Sequence, residues 1–177
     1  MVGITGRTGA GKTSAGIYLS SRYGFQYLQY SQVLSDWLAN DSQGKTRLQE
    51  IGWKVMEKGM QLDLNRRVIG QINPTADVAV DGLRHPIDYE SLNDFCATSF
   101  HLLFIDSPLE NRWQRVKGDE SFTTLGAFEA ADHHAVEQQI EVLRTRATKV
   151  IRNEGSLQDF YVSLDDAIGR LRVGRRI

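Results

Sequence analysis

Apolar residues occur along this chain in two rhythms, and the rhythms alternate. Met1 to Thr5 is a short, partly β-branched run that reads as a strand, and Lys12 to Arg22 reads as a helix stopped near Gly24. Phe25 to Tyr30 reads as a second strand. Ser31 is placed to cap a helix running to about Ala39, and Thr46 another with Leu48, Ile51, Val55 and Met56 on one face. Gly59 interrupts, and a helix from Leu62 to Ile72 carries Leu64, Val68 and Ile72 at helical spacing. Ala76 to Val80 and Phe100 to Ile105 are nearly continuous apolar runs, as strands covered on both faces tend to be. Ser107-Pro108 opens a helix to about Val116, a polar stretch runs from Lys117 to Gly126, and a long helix is expected over Ala127 to Thr145. Lys149 to Ile151 is a final strand and Ser156 to Leu171 a final helix.

Five strands alternating with helices predict an α/β fold in three layers, a parallel sheet with helices on both faces. Ligands in such folds sit at the carboxyl ends of the strands. At 177 residues the chain suits one domain, and its three prolines mark no linker. A formal net charge of −1 argues against a dedicated nucleic-acid binder. The single cysteine, Cys96, leaves no intramolecular disulfide, and no long apolar run or signal pattern precedes the first strand, so a cytoplasmic setting is expected.

The chemistry is concentrated after the first strand. Gly6-Arg7-Thr8-Gly9-Ala10-Gly11-Lys12-Thr13 is the complete G-x-x-x-x-G-K-[ST] pattern, placed between a strand and a helix as the motif requires. Its glycines let successive backbone N–H groups converge into a nest that holds phosphate oxygens at the helix N-terminus. Gly6, Thr8, Gly9, Ala10, Gly11, Lys12, Thr13 and Ser14 are therefore candidate ATP ligands, with Lys12 directed to the β- and γ-phosphates and the Thr13 hydroxyl to Mg²⁺. A second acidic strand end follows in Val80-Asp81-Gly82-Leu83-Arg84. Asp81 is a candidate for orienting Mg²⁺ or its waters, and the Arg84 fork suits an anionic ligand.

With Leu103-Phe104-Ile105-Asp106 leading into Asn111-Arg112-Trp113-Gln114-Arg115-Val116, these segments resemble the nucleoside monophosphate kinases. The resemblance is strongest to the branch that includes dephospho-CoA kinase, archaeal nucleotide-kinase-like proteins and viral deoxynucleoside monophosphate kinases. It covers most of the chain. It implies an ATP- and Mg²⁺-dependent transfer to a small phosphorylated acceptor, first a nucleoside monophosphate or deoxynucleotide, second dephospho-CoA or a similar metabolite. It implies that residues 31–72 form an acceptor-binding insertion containing Ser31 and Arg47, and that Arg84 binds the acceptor phosphate. Arg112 and Arg115 then lie at the base of a lid over residues 117–126, reaching the transferring phosphoryl, and Asn153 borders the adenine. The lid stretch itself contains no arginine, which keeps a non-catalytic ATP-binding sensor or scaffold subunit open as an alternative.

Other signals carry less. Asp81-Gly82-Leu83-Arg84 lacks the glycine three residues after the aspartate expected of a GTPase, and no Asn-Lys-x-Asp guanine motif occurs. His133 and His134 are adjacent, so on a helix they diverge by roughly 100° and make a poor zinc pair. The basic tail from Arg170 to Arg176 reads as favourable charge at a helix C-terminus. Oligomerisation is left open by the sequence.

Overall fold

In the computed structural model, residues 1–38, 45–96 and 99–173 are described, with the side chains of 45–50, 172 and 173 outside the description. Five strands, β1 (Val2–Thr5), β2 (Gln26–Gln29), β3 (Val78–Leu83), β4 (His101–Asp106) and β5 (Lys149–Arg152), form one sheet in the order β2-β3-β1-β4-β5. Every neighbouring pair is parallel. Parallel neighbours need crossovers, and the helices supply them: α1 (Lys12–Tyr23), α2 (Tyr30–Trp37), α3 (Lys45–Glu57), α4 (Gln61–Ile69), α5 (Pro86–Cys96), α6 (Leu109–Val116), α7 (Leu125–Asp132), α8 (Ala135–Arg144) and α9 (Leu157–Val173). The expected three-layer α/β architecture is the observed one.

Strand periodicity divides the core. Val78, Val80 and Leu102 face one layer, where they pack with Val33, Leu64 and Leu92. Ala79, Leu103 and Ile105 face the other, with Leu19, Phe160 and Leu164 of α1 and α9. A third, small cluster joins Val116, Phe122 and Phe128 beneath residues 117–126. Fully burying side chains of this size contributes about 1.5–3 kcal/mol each, which is why near-continuous apolar strands end up central.

Several boundaries differ from the sequence reading, each for a local reason. The helix expected over 127–145 is two helices. His134 has extended backbone (φ −60°, ψ 146°) and its ring nitrogen Nδ1 accepts from the Val136 N–H at 3.3 Å, so a cap replaces a continuous turn. β3 continues through Asp81 to Leu83, which places Asp81 inside the strand. The second helix starts at Tyr30, with Gln29 at the cap position, so Ser31 lies within its first turn.

A helix at Pro86–Cys96 is absent from the sequence reading, yet its start is signalled. Proline occupies the first helical position. Asp88 accepts the His85 N–H at 2.9 Å while His85 Nδ1 accepts the Ile87 N–H at 3.1 Å, a reciprocal capping pattern. Cys96 packs its sulfur 3.8 Å from that of Met1, consistent with a structural thiol.

The approach of α1 to β2 is set by a missing side chain. A Cβ on Gly16 would lie 2.0 Å from the Tyr27 ring. Gly169, by contrast, lies inside α9 with nothing within 4 Å of such a Cβ. Gly16→Ala is therefore predicted to destabilise the protein by about 1–3 kcal/mol through overpacking. Gly169→Ala is predicted to stabilise it by about 0.5–1 kcal/mol through helix propensity. Urea denaturation of both variants checks the opposite signs.

Candidate active site

The carboxyl ends of β1 and β3 open into a cavity of about 310 Å³ lined by Thr8, Lys12, Thr13, Asp81 and Arg84 on one side and by Tyr30, Leu34, Met56, Gln61 and Leu64 on the other. The first side combines the glycine-rich loop with Asp81 of β3 and Arg84 just beyond that strand. Gly6 (φ 142°) and Gly11 (φ 107°) take backbone conformations that L side chains rarely adopt. A Cβ on Gly6 would lie 2.3 Å from the Ile105 carbonyl, and one on Gly11 would lie 2.5 Å from the Asn153 amide nitrogen. Asn153 in turn donates to the Ala10 carbonyl at 2.8 Å. It thus braces the loop from beneath.

Lys12 folds over the loop and donates to the carbonyls of Gly6 (2.8 Å) and Arg7 (3.0 Å). Burial, with Arg84 nearby, lowers its pKa to about 8, although Asp81 and Glu137 favour the charged form. Such a lysine is poised to gain from an added anion.

Asp81 is 4% exposed. Its Oδ2 accepts from the Tyr27 hydroxyl at 2.8 Å and from Thr13 Oγ1 at 3.5 Å. Its Oδ1 has no hydrogen-bond partner. Burial raises its pKa, against the pull of Lys12 and the Tyr27 hydroxyl. A buried carboxylate oxygen without a partner, beside a threonine hydroxyl, is a hard-oxygen donor pair of the kind Mg²⁺ takes. Among the described residues no group of three or more His, Cys, Asp or Glu could hold a metal by itself.

The principal charge partner of this site is absent from the sequence reading. Glu137 on α8 is fully buried. Its carboxylate accepts the Thr8 N–H and the Thr8 hydroxyl, each at 3.1 Å, and forms an ion pair with Arg84. Burial opposes its charge, but Arg84, Lys12 and the Thr8 N–H outweigh burial and hold the carboxyl below its ordinary value. The signal was available: an acid lies among Val136, Ile140 and Leu143 on the buried face of its helix.

Asp132 at the end of α7 plays a parallel part. It receives Arg112 through two oxygens at 2.6 and 2.9 Å, and Arg7 at 3.1 Å. Arg112 is buried, also donates to the Ser107 and Thr8 carbonyls, and stands 5.6 Å from the Phe128 ring centre.

The other sequence candidates are distributed as follows. Arg115 donates to Ser107 Oγ (2.9 Å), to the Asn153 carbonyl (2.8 Å) and to the Gly9 carbonyl (3.3 Å), and lines the cavity. Ser14 and Ser31 also line it. The Arg47 side chain lies outside the described residues. Within 117–126, Phe122 is buried against Phe128, with ring centres 5.3 Å apart. No helix of the described residues is long and apolar enough to cross a membrane.

No protein-family model matches the chain, and no curated protein matches it in sequence. Solved structures do share its fold. A gluconokinase from Sinorhizobium meliloti superposes with a TM-score of 0.66 at 11% identity, over 96% of this chain and 91% of that one. A shikimate kinase from Bacteroides thetaiotaomicron gives 0.61 at 15%, covering 97% of each chain. TT1252 from Thermus thermophilus gives 0.59 at 20%, covering 96% of each. At these identities the likeness is one of architecture: the chain shares the three-layer P-loop fold of these proteins.

Glu137→Ala leaves the Arg84 and Lys12 charges without their buried counter-ion. It is predicted to cost about 3–5 kcal/mol in urea denaturation. Because the folded-state pKa of Glu137 is depressed, its contribution is present above the ordinary value of 4.5 and is lost as pH falls through the folded value. The wild type is therefore predicted to lose stability below about pH 4.5 more steeply than Glu137→Gln.

Proposed function

We propose that this protein is an ATP- and Mg²⁺-dependent phosphotransferase acting on a small phosphorylated acceptor, first a nucleoside or deoxynucleoside monophosphate. The observation that carries the reading is the convergence of the complete glycine-rich loop with Lys12, Thr13, the buried Asp81 and Arg84 on a single cavity. That cavity extends toward residues 31–72, which serve as the acceptor-binding insertion and include Ser31 and Arg47.

In this mechanism the loop from Gly6 to Ser14 holds the triphosphate, its N–H groups aimed at phosphate oxygens. Lys12 leaves the carbonyls of Gly6 and Arg7 for the phosphates, which restores its full charge. Thr13 and Asp81 would hold Mg²⁺, whose chemistry is to neutralise charge on the phosphate oxygens. Arg84 binds the acceptor phosphate and orients it in line, which is most of what phosphoryl transfer asks of a protein. Arg115 faces the same cavity and stabilises charge there, Arg112 fixes the loop through the Thr8 carbonyl, and Asn153 borders the adenine. Residues 117–126 act as the lid that excludes water.

A second reading, an ATP-binding sensor without turnover, has a specific observation behind it. The 117–126 stretch contains no arginine, and the Arg112 guanidinium is committed to Asp132. The fold neighbours named as shikimate kinase and gluconokinase argue for including non-nucleotide acceptors in any test.

The test is ADP release from Mg²⁺-ATP across a panel of ribo- and deoxynucleoside monophosphates, dephospho-CoA, shikimate and gluconate. The expected result is stimulation by one class of monophosphate, with Lys12→Ala lowering turnover by about 10²-fold or more. ATP binding without stimulation by any acceptor supports the sensor.

A further inference from the structure

Two buried side-chain polar atoms of the described residues have no hydrogen-bond partner, Asp81 Oδ1 and Gln61 Oε1. Both belong to residues that line the same cavity. The first is the oxygen proposed above for Mg²⁺. The second belongs to Gln61, a residue of the cavity wall that also includes Leu34, Met56 and Leu64.

Gln61 is 5% exposed and opens α4. Its amide nitrogen donates to Asp88 Oδ1. Asp88 cannot easily release it, because Oδ2 is already fixed by the backbone N–H groups of Arg84 and His85, both at 2.9 Å. Three donors converge on Asp88, so it acts as an acceptor and sets the orientation of the Gln61 amide, nitrogen toward Asp88 and carbonyl away. The neighbouring polar groups are satisfied within the protein. The Tyr30 hydroxyl donates to Asn65 Oδ1 at 2.6 Å, and Asn65 Nδ2 donates to Ser91 Oγ at 3.2 Å and the Ile87 carbonyl at 3.3 Å. The Gln61 carbonyl stands out from this network.

A buried carbonyl in that position is costly unless something donates to it. Leu34, Met56 and Leu64 line the same cavity and offer apolar contact for a flat ring. A donor-only demand beside an apolar wall describes the amino-bearing edge of a heterocyclic base. We propose that Gln61 is a specificity-determining residue of this cavity, its carbonyl receiving an N–H from the amino group of the acceptor's base. The proposal rests on the reading of the cavity as an acceptor site and names the feature of the acceptor that the site selects.

The test uses pairs of monophosphates that differ only in that donor. Adenosine monophosphate is compared with purine riboside monophosphate, and cytidine monophosphate with its 4-deamino counterpart, by titration calorimetry. The wild type is expected to bind the amino-bearing member of at least one pair about 10- to 100-fold more tightly. In Gln61→Met, which keeps the volume and removes the carbonyl, the preference should fall to about threefold or less, with ATP affinity unchanged.

Equal affinities within both pairs in the wild type overturn the proposal. A preference that persists in Gln61→Met overturns it too, as does failure of every monophosphate to bind. Should Gln61→Met not fold, the wild-type pairs decide. Amino-dependent binding without ADP release leaves the proposal standing and overturns the phosphotransferase reading. ADP release with equal affinities within both pairs does the reverse.

Discussion

Two buried carboxylates, Glu137 and Asp132, carry the arrangement around the glycine-rich loop. The loop end of this molecule gathers Arg7, Lys12, Arg84 and Arg112 into one region. Cations placed so closely repel, and desolvation penalises each of them further. Glu137 answers Arg84 and Lys12, and Asp132 answers Arg7 and Arg112. Both acids come from one stretch of chain, α7 and α8. The break at His134 that separates these helices gives each its own direction. A continuous helix would place residues 132 and 137 about 140° apart around its axis, so the turn is what lets both acids reach the loop.

Glu137 also ties the loop to the segment that follows β3. Glu137 holds the Thr8 N–H and Arg84 together. It therefore links the glycine-rich loop to the residue proposed above for the acceptor phosphate. Tyr27 performs a comparable service for Asp81. Its hydroxyl occupies Oδ2 and leaves Oδ1 for other chemistry, and its ring is seated where Gly16 has no side chain.

Much of this was legible in the sequence. The apolar runs of β3 and β4 announced a doubly covered parallel sheet, and the loop motif announced its own conformation through Gly6 and Gly11. The chain's boundaries at Thr5, Gly24 and Gly59 followed from strand and helix punctuation. What escaped is instructive. Asp88 and Pro86 formed a readable helix start whose two parts lie outside the usual Ser or Thr pattern. Glu137 was visible as an acid on an apolar stripe, but a single sequence does not say that the stripe faces the phosphate loop. Gln61 and Tyr27 left no local trace at all, because their roles are made by partners 27 and 54 residues away. Long-range pairing of polar side chains is set by topology, and periodicity does not encode it.

Equilibrium titration of Mg²⁺-ATP near pH 8 in buffers of different ionisation enthalpy decides whether these groups form a triphosphate site. Lys12, lowered to about 8 by burial, regains its proton when phosphate charge arrives. Saturable one-to-one binding with net proton uptake is expected, and loss of both in Lys12→Ala. Absence of saturable binding in the wild type would contradict such a site.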